Sequence, residues 1–238
     1  MDYISSLTSE QKFALLYGVL LGDGCLSRYT TSKGRERSMI VVTGSYYDDA
    51  EFFDEVLVPL FCSFTGTSPT VKLRQKYGAR DIFVSNKELF AKIESLGFNS
   101  GKKKDILIPS IFDGDLMRFV LAGLFATDGC LTIVNNNGTK YPRMFFTACL
   151  PTAFSKVSEY LNNKGISANC YTQKRVKVHE KSFRKTKDSY VISSNGSKNT
   201  EEFRNLIGFI NPKHESRYQS YLRSKMALGR IELPTSCL

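Results

Sequence analysis

One short pattern occurs twice in this chain. The first copy reads Leu16-Tyr17-Gly18-Val19-Leu20-Leu21-Gly22-Asp23-Gly24, and the second reads Leu121-Ala122-Gly123-Leu124-Phe125-Ala126-Thr127-Asp128-Gly129. Each is an apolar run with small residues four apart, closed by Asp-Gly. Each is followed by Cys-Leu and a hydroxyl residue, Cys25-Leu26-Ser27 and Cys130-Leu131-Thr132. For one copy alone, a plain core helix ended by an Asp-Gly turn is the simpler reading, because short motifs are weak signals. Repetition with the same closing residues argues instead for two related halves.

Physically, each copy predicts a short buried helix that delivers one carboxylate at its C-terminal end. Thr8 and Gln11 form a capping box for the first helix, and Asp113 or Asp115 is placed to cap the second. Gly18 and Gly22 lie on one helix face, as do Gly123 and Thr127. Small residues at that spacing let two backbones approach closely. Two such helices packed face to face bring Asp23 and Asp128 together. Neighbouring carboxylates raise each other's pKa unless a cation lies between them, and Mg²⁺ favours such an all-oxygen site. Each run is far short of the ~20 residues needed to span a bilayer.

Both stretches resemble the signature of the LAGLIDADG homing endonucleases, in their single-chain, two-motif form. The second copy is a close match. The first departs at Tyr17 and Gly22, and both lack the acid at the sixth position, where Leu21 and Ala126 stand. In residue pattern the resemblance runs from about Thr8 to about Lys225. It implies an α+β fold of two pseudo-symmetric αββαββα halves, packed through the two motif helices, with antiparallel sheets forming a DNA-binding saddle. It also implies that Asp23 and Asp128 hold two or more catalytic Mg²⁺ ions, with the backbone carbonyls of Gly22 and Thr127 as adjoining ligands. The implied activity is a staggered double-strand cut in a long, asymmetric duplex. A basic residue near each metal site belongs to the same resemblance. By position after Leu96-Gly97-Phe98 and Ile207-Gly208-Phe209, the candidates are Lys103 or Lys104, with Lys104 preferred, and Lys213. Gly44 and Cys149 stand where relatives carry a Gln or Lys after the second strand.

At 238 residues the chain is one large domain or two small ones. The duplication favours a first half over 1–100, a connection over 101–112 and a second half over 113–238, the latter with an extra C-terminal helix. Lys and Arg total 33 against 23 Asp and Glu, a formal charge of +10, and a basic chain suits a polyanion such as nucleic acid. Six cysteines without a CxxC pair, and only His179 and His214, argue against a zinc site. Reduced thiols and the lack of a signal-peptide pattern point to an intracellular protein, in cytoplasm or organelle, not anchored to a membrane. Two halves in one chain can read an asymmetric site without a second copy, so a monomer is expected.

After Asp23 the sequence turns extended. Cys25 to Tyr29 and Met39 to Thr43 read as strands around a polar loop. Ser45 and Asp48 begin a helix running to about Phe61. Lys72, Arg74 and Lys76 alternate with Val71 and Leu73, which predicts a half-buried strand with a basic outer face. Tyr77 to Arg80 reads as a turn, and Ser85 with Glu88 as a capping box for a helix ended by Gly97. The second half repeats the order: strands at Gly129 to Val134 and Tyr141 to Thr147, a helix from Pro151 to Gly165, and strands near Asn169 to Val178 and Asp188 to Ser194. A helix opened by Asn199 and Glu202 follows, and a final one covers Ser216 to about Leu228. Basic strand faces and polar loops suit DNA grooves. The candidates for DNA contact are Arg28, Lys33, Arg35 and Arg37; Lys72, Arg74, Lys76 and Arg80; Asn136, Lys140 and Arg143; and Arg175, Lys177, Arg184 and Lys185.

Three other functions compete. An RNA-binding maturase on this fold would have the same basic surface, but retention of both acids weighs against a purely RNA-binding role. A non-catalytic DNA-binding regulator would tolerate loss of Asp23 or Asp128. A basic structural protein explains the charge but not the duplicated Asp-Gly.

Overall fold

A computed structural model of the protein describes residues 3–103, 106–148, 151–173 and 189–231. The first half runs through helix α1 (Ser9–Asp23), strands β1 (Gly24–Thr30) and β2 (Glu36–Ser45), and helices α2 (Ala50–Phe52) and α3 (Val58–Thr65). Strands β3 (Thr70–Arg74) and β4 (Ala79–Val84) and helix α4 (Lys87–Ser95) complete it. The second half repeats this with α5 (Met117–Asp128), β5 (Gly129–Asn136), β6 (Thr139–Ala148), α6 (Pro151–Asn163), β7 (Asn169–Gln173), β8 (Ser189–Asn195) and α7 (Ser197–Leu206). Helix α8 (Pro212–Ile231) is added at the end. The two four-stranded antiparallel sheets have the same strand order, β1-β2-β4-β3 and β5-β6-β8-β7.

The motif helices are the centre of the molecule. α1 begins with the expected capping box: the Gln11 amide donates to Thr8 Oγ1 at 3.3 Å and the Thr8 amide to Gln11 Oε1 at 3.0 Å. Phe13 to Leu21 are buried without a break, as are Phe119 to Ala126 in α5. Helices apolar on every face belong inside a protein. They touch backbone to backbone. A Cβ at Gly18 would collide with the Val120 carbonyl, and one at Gly123 with the Leu15 carbonyl and, at 2.7 Å, the Val19 amide nitrogen. At Gly22 it would strike the Thr127 side chain. Contacts advance along both helices together, so α1 and α5 run parallel and end at one place. Their apolar residues belong to a single core cluster that continues into both halves. Tyr17 departs from the motif for a local reason. Its buried ring packs on Phe98 and Phe112, and its hydroxyl donates to the Leu107 carbonyl at 2.9 Å.

Several local expectations are overturned. Neither Asp113 nor Asp115 caps α5, which is entered from a 3₁₀ turn (Gly114–Leu116) with no side-chain cap. Asp113 instead pairs with Lys156 at 2.5 Å. α4 is capped by Asn86, whose side chain accepts from the Leu89 amide at 2.8 Å, rather than by Ser85. α7 starts at Ser197, ahead of Asn199. A π turn (Phe53–Leu57) joins α2 to α3, and the wider turn precedes Pro59, which has no amide hydrogen to donate backward. β3 is not half-buried. It is an edge strand exposed along its length, with Val71 and Leu73 in solvent. Asn135 and Asn136 extend β5, so the hairpin loop shrinks to Asn137-Gly138, both at positive φ, the geometry of a tight two-residue turn.

Candidate active site and nucleic-acid face

Asp23 and Asp128 are the last residues of α1 and α5. Because the helices are parallel and in register, the two carboxylates meet. The position a Cβ would take on Gly22 is 3.4 Å from Asp128 Cγ. Burial pushes the Asp128 carboxyl up to about 7, with a further contribution from the Asp23 charge and an opposing one from Lys103. Burial also raises Asp23, against Lys103 and with Asp49. Both acids thus lack full compensation.

The donor set fits a hard divalent cation. Two half-buried carboxylates converge, and the backbone oxygens at the helix ends adjoin them. Among the described residues no cluster of three or more His, Cys, Asp or Glu side chains forms. Asp23, Asp128 and neighbouring carbonyls are the oxygen donors here that could hold such an ion, with water and substrate oxygens completing an all-oxygen shell.

A lysine reaches the site from the connection between halves, but it is Lys103. Its ammonium donates to the Leu21 carbonyl at 2.8 Å and also to the Gly22 carbonyl. Burial pushes the Lys103 ammonium down, while Asp128 and Asp23 favour its charged form. The preferred candidate, Lys104, lies outside the described residues. Lys213 reaches the site too, donating to Asp49 Oδ1 at 2.7 Å. Gly22 is in place, although its carbonyl accepts from Lys103. Thr127 is also in place, with its hydroxyl turned back to the Gly123 and Leu124 carbonyls at 3.2 and 3.1 Å.

Asp49 and Asn211 are site residues that sequence reading missed. Asp49 is 7% exposed and accepts from the Ser45 amide at 2.8 Å, from Asn211 Nδ2 at 2.9 Å and from Lys213. Burial pushes its carboxyl up, but these hydrogen bonds outweigh that and hold it below the usual range. Asn211 is fully buried and also donates to the Ala126 carbonyl at 2.8 Å. Gly44 makes room for this arrangement: a Cβ there would lie 2.6 Å from the Phe53 ring and 3.1 Å from Asp49 Oδ2. The one available signal was Asp49 beside Asp48, where either acid could have closed the turn after β2.

Antiparallel partners share a sheet face, so the register sorts the basic candidates. In the first sheet Leu26, Ile40, Val42 and Ile82 pack inward. The opposite, open face carries Tyr29 beside Arg37, and Lys72 and Arg74 beside Asp81. Arg74 pairs with Asp81 at 2.5 Å, and Lys72 lies over the Phe83 ring at 5.2 Å. In the second sheet Arg143, opposite Thr132, and Asn136 lie on the open face. Arg143 lines a shallow hollow there with Thr132, Phe145, Thr147, Tyr171 and Gln173. Lys33, Arg35 and Lys76 are exposed on connecting segments.

Three candidates lie away from the open faces. Arg28 follows Leu26 on the helix side, pairing with Glu94 at 2.5 Å and lying over Phe90. Arg80 is buried in β4 rather than sitting in a turn, donating to the Ala50 carbonyl at 2.7 Å. Lys140, opposite Asn135, faces a pocket beneath α8. The alternation of a strand assigns these faces once register is known, and the sequence alone left the register open. Arg175, Lys177, Arg184 and Lys185 lie outside the described residues. No helix among the described residues is long and apolar enough to cross a membrane.

No protein-family model and no curated protein sequence matches this chain. Solved structures do. The homing endonuclease I-DmoI in complex with DNA and Ca matches with a TM-score of 0.56 at 17% identity, over 83% of this chain and 89% of that one. The LAGLIDADG homing endonuclease I-LtrWI bound to target DNA gives 0.59 at 13% identity, over 95% and 93%. The LAGLIDADG meganuclease I-AabMI bound to uncleaved DNA gives 0.54 at 12% identity, over 93% of each chain. With two motif helices packed in parallel and a like sheet beside each, this chain has the LAGLIDADG homing endonuclease fold.

Proposed function

We propose that this protein is a site-specific DNA endonuclease that makes a staggered double-strand cut in a long, asymmetric duplex with Mg²⁺. The observation that carries this reading is the convergence of Asp23 and Asp128, one from each motif copy, as half-buried and under-compensated carboxylates at the ends of two parallel helices. A purely structural pair of helices gains nothing from holding two half-buried acids side by side, since each disfavours the other's charge.

In this reading Asp23 and Asp128, with the adjoining carbonyls, hold the divalent ions. When bound, such ions supply an activated water and Lewis-acid stabilisation of the leaving oxygen. Lys103 places a positive charge beside both acids, in position to meet a phosphate oxygen. The open faces of the two sheets bind the duplex. Arg37, Lys72, Arg74 and Arg143 contact it there, and Lys33, Arg35 and Lys76 contact it from the connecting segments. Phosphate contacts set register and guanidinium groups read base edges. The halves proposed over 1–100 and 113–238 each address one half of the site, so a monomer suffices. The chain's formal charge of +10 favours encounter with DNA.

The test is selection from a randomised duplex library with Ca²⁺, followed by Mg²⁺. The reading expects one long site to be retained in Ca²⁺ and cut with a stagger in Mg²⁺. Retention without cutting would favour a DNA-binding regulator, and preference for structured RNA over every duplex would favour a maturase.

A further inference from the structure

The two halves treat one backbone position differently. Leu21 and Ala126 occupy the same place in the two motif copies. The Leu21 carbonyl accepts from the ammonium of Lys103 at 2.8 Å, and the Ala126 carbonyl from the neutral amide of Asn211 at 2.8 Å. Lys213 is the second half's basic residue at the place nearest to Lys103, four residues after Phe209 where Lys103 is five after Phe98. Yet Lys213 does not sit on its own motif helix. It is drawn across to Asp49 of the first half, at 2.7 Å. Asp49 is itself fixed on both oxygens: Oδ2 accepts from the Ser45 amide, and Oδ1 from Asn211 and Lys213. Among the described residues Lys103 has no acidic partner within 4 Å, although both Asp23 and Asp128 act on it from further away.

We infer that Asp49 is a positioning residue that clamps Lys213 near the C-terminal end of α5, making the two basic groups of the site unequal and fixing the order in which the DNA strands are cut. This rests on the endonuclease reading. An ammonium held by neutral carbonyls has no carboxylate paired directly with it and can meet a phosphate oxygen, whereas one held against a carboxylate has its charge largely compensated. The strand served by Lys103 is therefore cut first. The strand served by Lys213 is cut second, and there Asp49's hold on the ammonium outweighs its compensation of the charge, so removing Asp49 slows that strand further. Lys213 and Asn211 come from the second half and Asp49 from the first, so the clamp also links the halves at the site.

The test uses supercoiled plasmid carrying the duplex recovered in Ca²⁺, with nicking of each strand timed in Mg²⁺. Wild-type protein accumulates plasmid nicked in one strand only. Asp49→Asn slows the second strand by about tenfold, short of the ~100-fold typical of losing a proton-transfer group outright, and leaves the first strand within about twofold. Lys213→Met slows the same strand, and the double variant is no slower than Lys213→Met alone, as expected of residues acting as one unit. Equal slowing of both strands by Asp49→Asn, or additive slowing in the double variant, would overturn the assignment. A readout without metal or DNA separates the clamp from the chemistry. The Lys213 ammonium should give a slowly exchanging ¹⁵N signal that Asp49→Asn abolishes, and its persistence would refute the clamp. Wild-type protein that binds the duplex without nicking it would sink the endonuclease reading and the strand order with it, while the ammonium signal would still decide whether Asp49 holds Lys213.

Discussion

Helices α1 and α5 share a register but not a setting. α1 enters through a capping box and carries Tyr17, anchored to the Leu107 carbonyl. α5 enters from an uncapped 3₁₀ turn and carries Ala122 at the equivalent place. Where the helices face each other, the differences shrink to Gly22 against Thr127: Gly18 and Gly123 both present bare backbone to the partner helix, and both helices end in Asp-Gly. Each half has diverged in its private contacts and kept what the interface demands. The same contrast returns at the site, where Lys103 caps one helix end and Asn211 the other.

The sharpest way to break this comparison is to disturb the shared face. Gly18→Ala and Gly123→Ala each push a methyl into the partner's backbone, which cannot move aside as a side chain can. Each should cost about 1–3 kcal/mol or more, read by denaturant unfolding. Gly22→Ala meets the Thr127 side chain instead and should cost less. Equal costs at all three positions would contradict the backbone-contact account.

The next effect separates the two acids from ordinary surface carboxylates. The Asp128 carboxyl, at about 7 in the folded metal-free protein, lies above its unfolded value of about 3.9. The unfolded chain releases its proton first, so stability is full below about pH 4 and is lost as pH rises toward 7. Asp128→Asn removes that loss. Its melting temperature without metal should exceed wild type at pH 8 and converge with it near pH 4. Mg²⁺ should raise the wild-type melting point at pH 8 and not the variant's. A pH-independent gap would contradict the buried-pair account.

A smaller effect compares the two faces of a sheet. Arg74→Ala and Arg143→Ala, on the open faces, should weaken duplex binding by about 1–3 kcal/mol. Arg28→Ala and Lys140→Ala, on the helix side, should change it by less than about 0.5 kcal/mol. Comparable losses on both faces in a binding titration would remove the face assignment. Smallest at neutral pH is His214, buried against Phe125 and Phe209. Burial, then the charges of Lys213 and Arg217, push its imidazole down to about 3. Its stabilising contribution is present above the unfolded pKa of about 6.5 and is lost as pH falls below it. His214→Phe should flatten the fall in melting temperature between pH 7 and 5.

The helical core of this fold was legible because its signals are local. Periodicity, the Thr8–Gln11 box and the repeated Asp-Gly identify α1, α5 and both acids without any knowledge of partners. What was hidden depends on long-range register. Arg28 and Arg80 read as groove residues until pairing places them beside Leu26 and Ile82. Asp113 resembles a helix cap until Lys156 arrives from α6. Asp49 and Asn211 lie far apart in the chain, and only the packing of the two halves makes them neighbours. Gly44 looked like a lost side chain, yet it leaves the space that Phe53 and Asp49 use.

The central claim is that one carboxylate from each motif copy is required at a single shared centre. It is tested most directly by comparing wild type, Asp23→Asn and Asp128→Asn on the recovered duplex in Mg²⁺, with Ca²⁺-dependent binding measured in parallel. Both single variants should lose double-strand cutting by about a thousandfold or more, the scale of several kcal/mol of metal-assisted stabilisation, while binding the duplex nearly as well as wild type. Full double-strand cutting by either variant would contradict the account, and so would loss of all duplex binding from a folded Asp23→Asn protein.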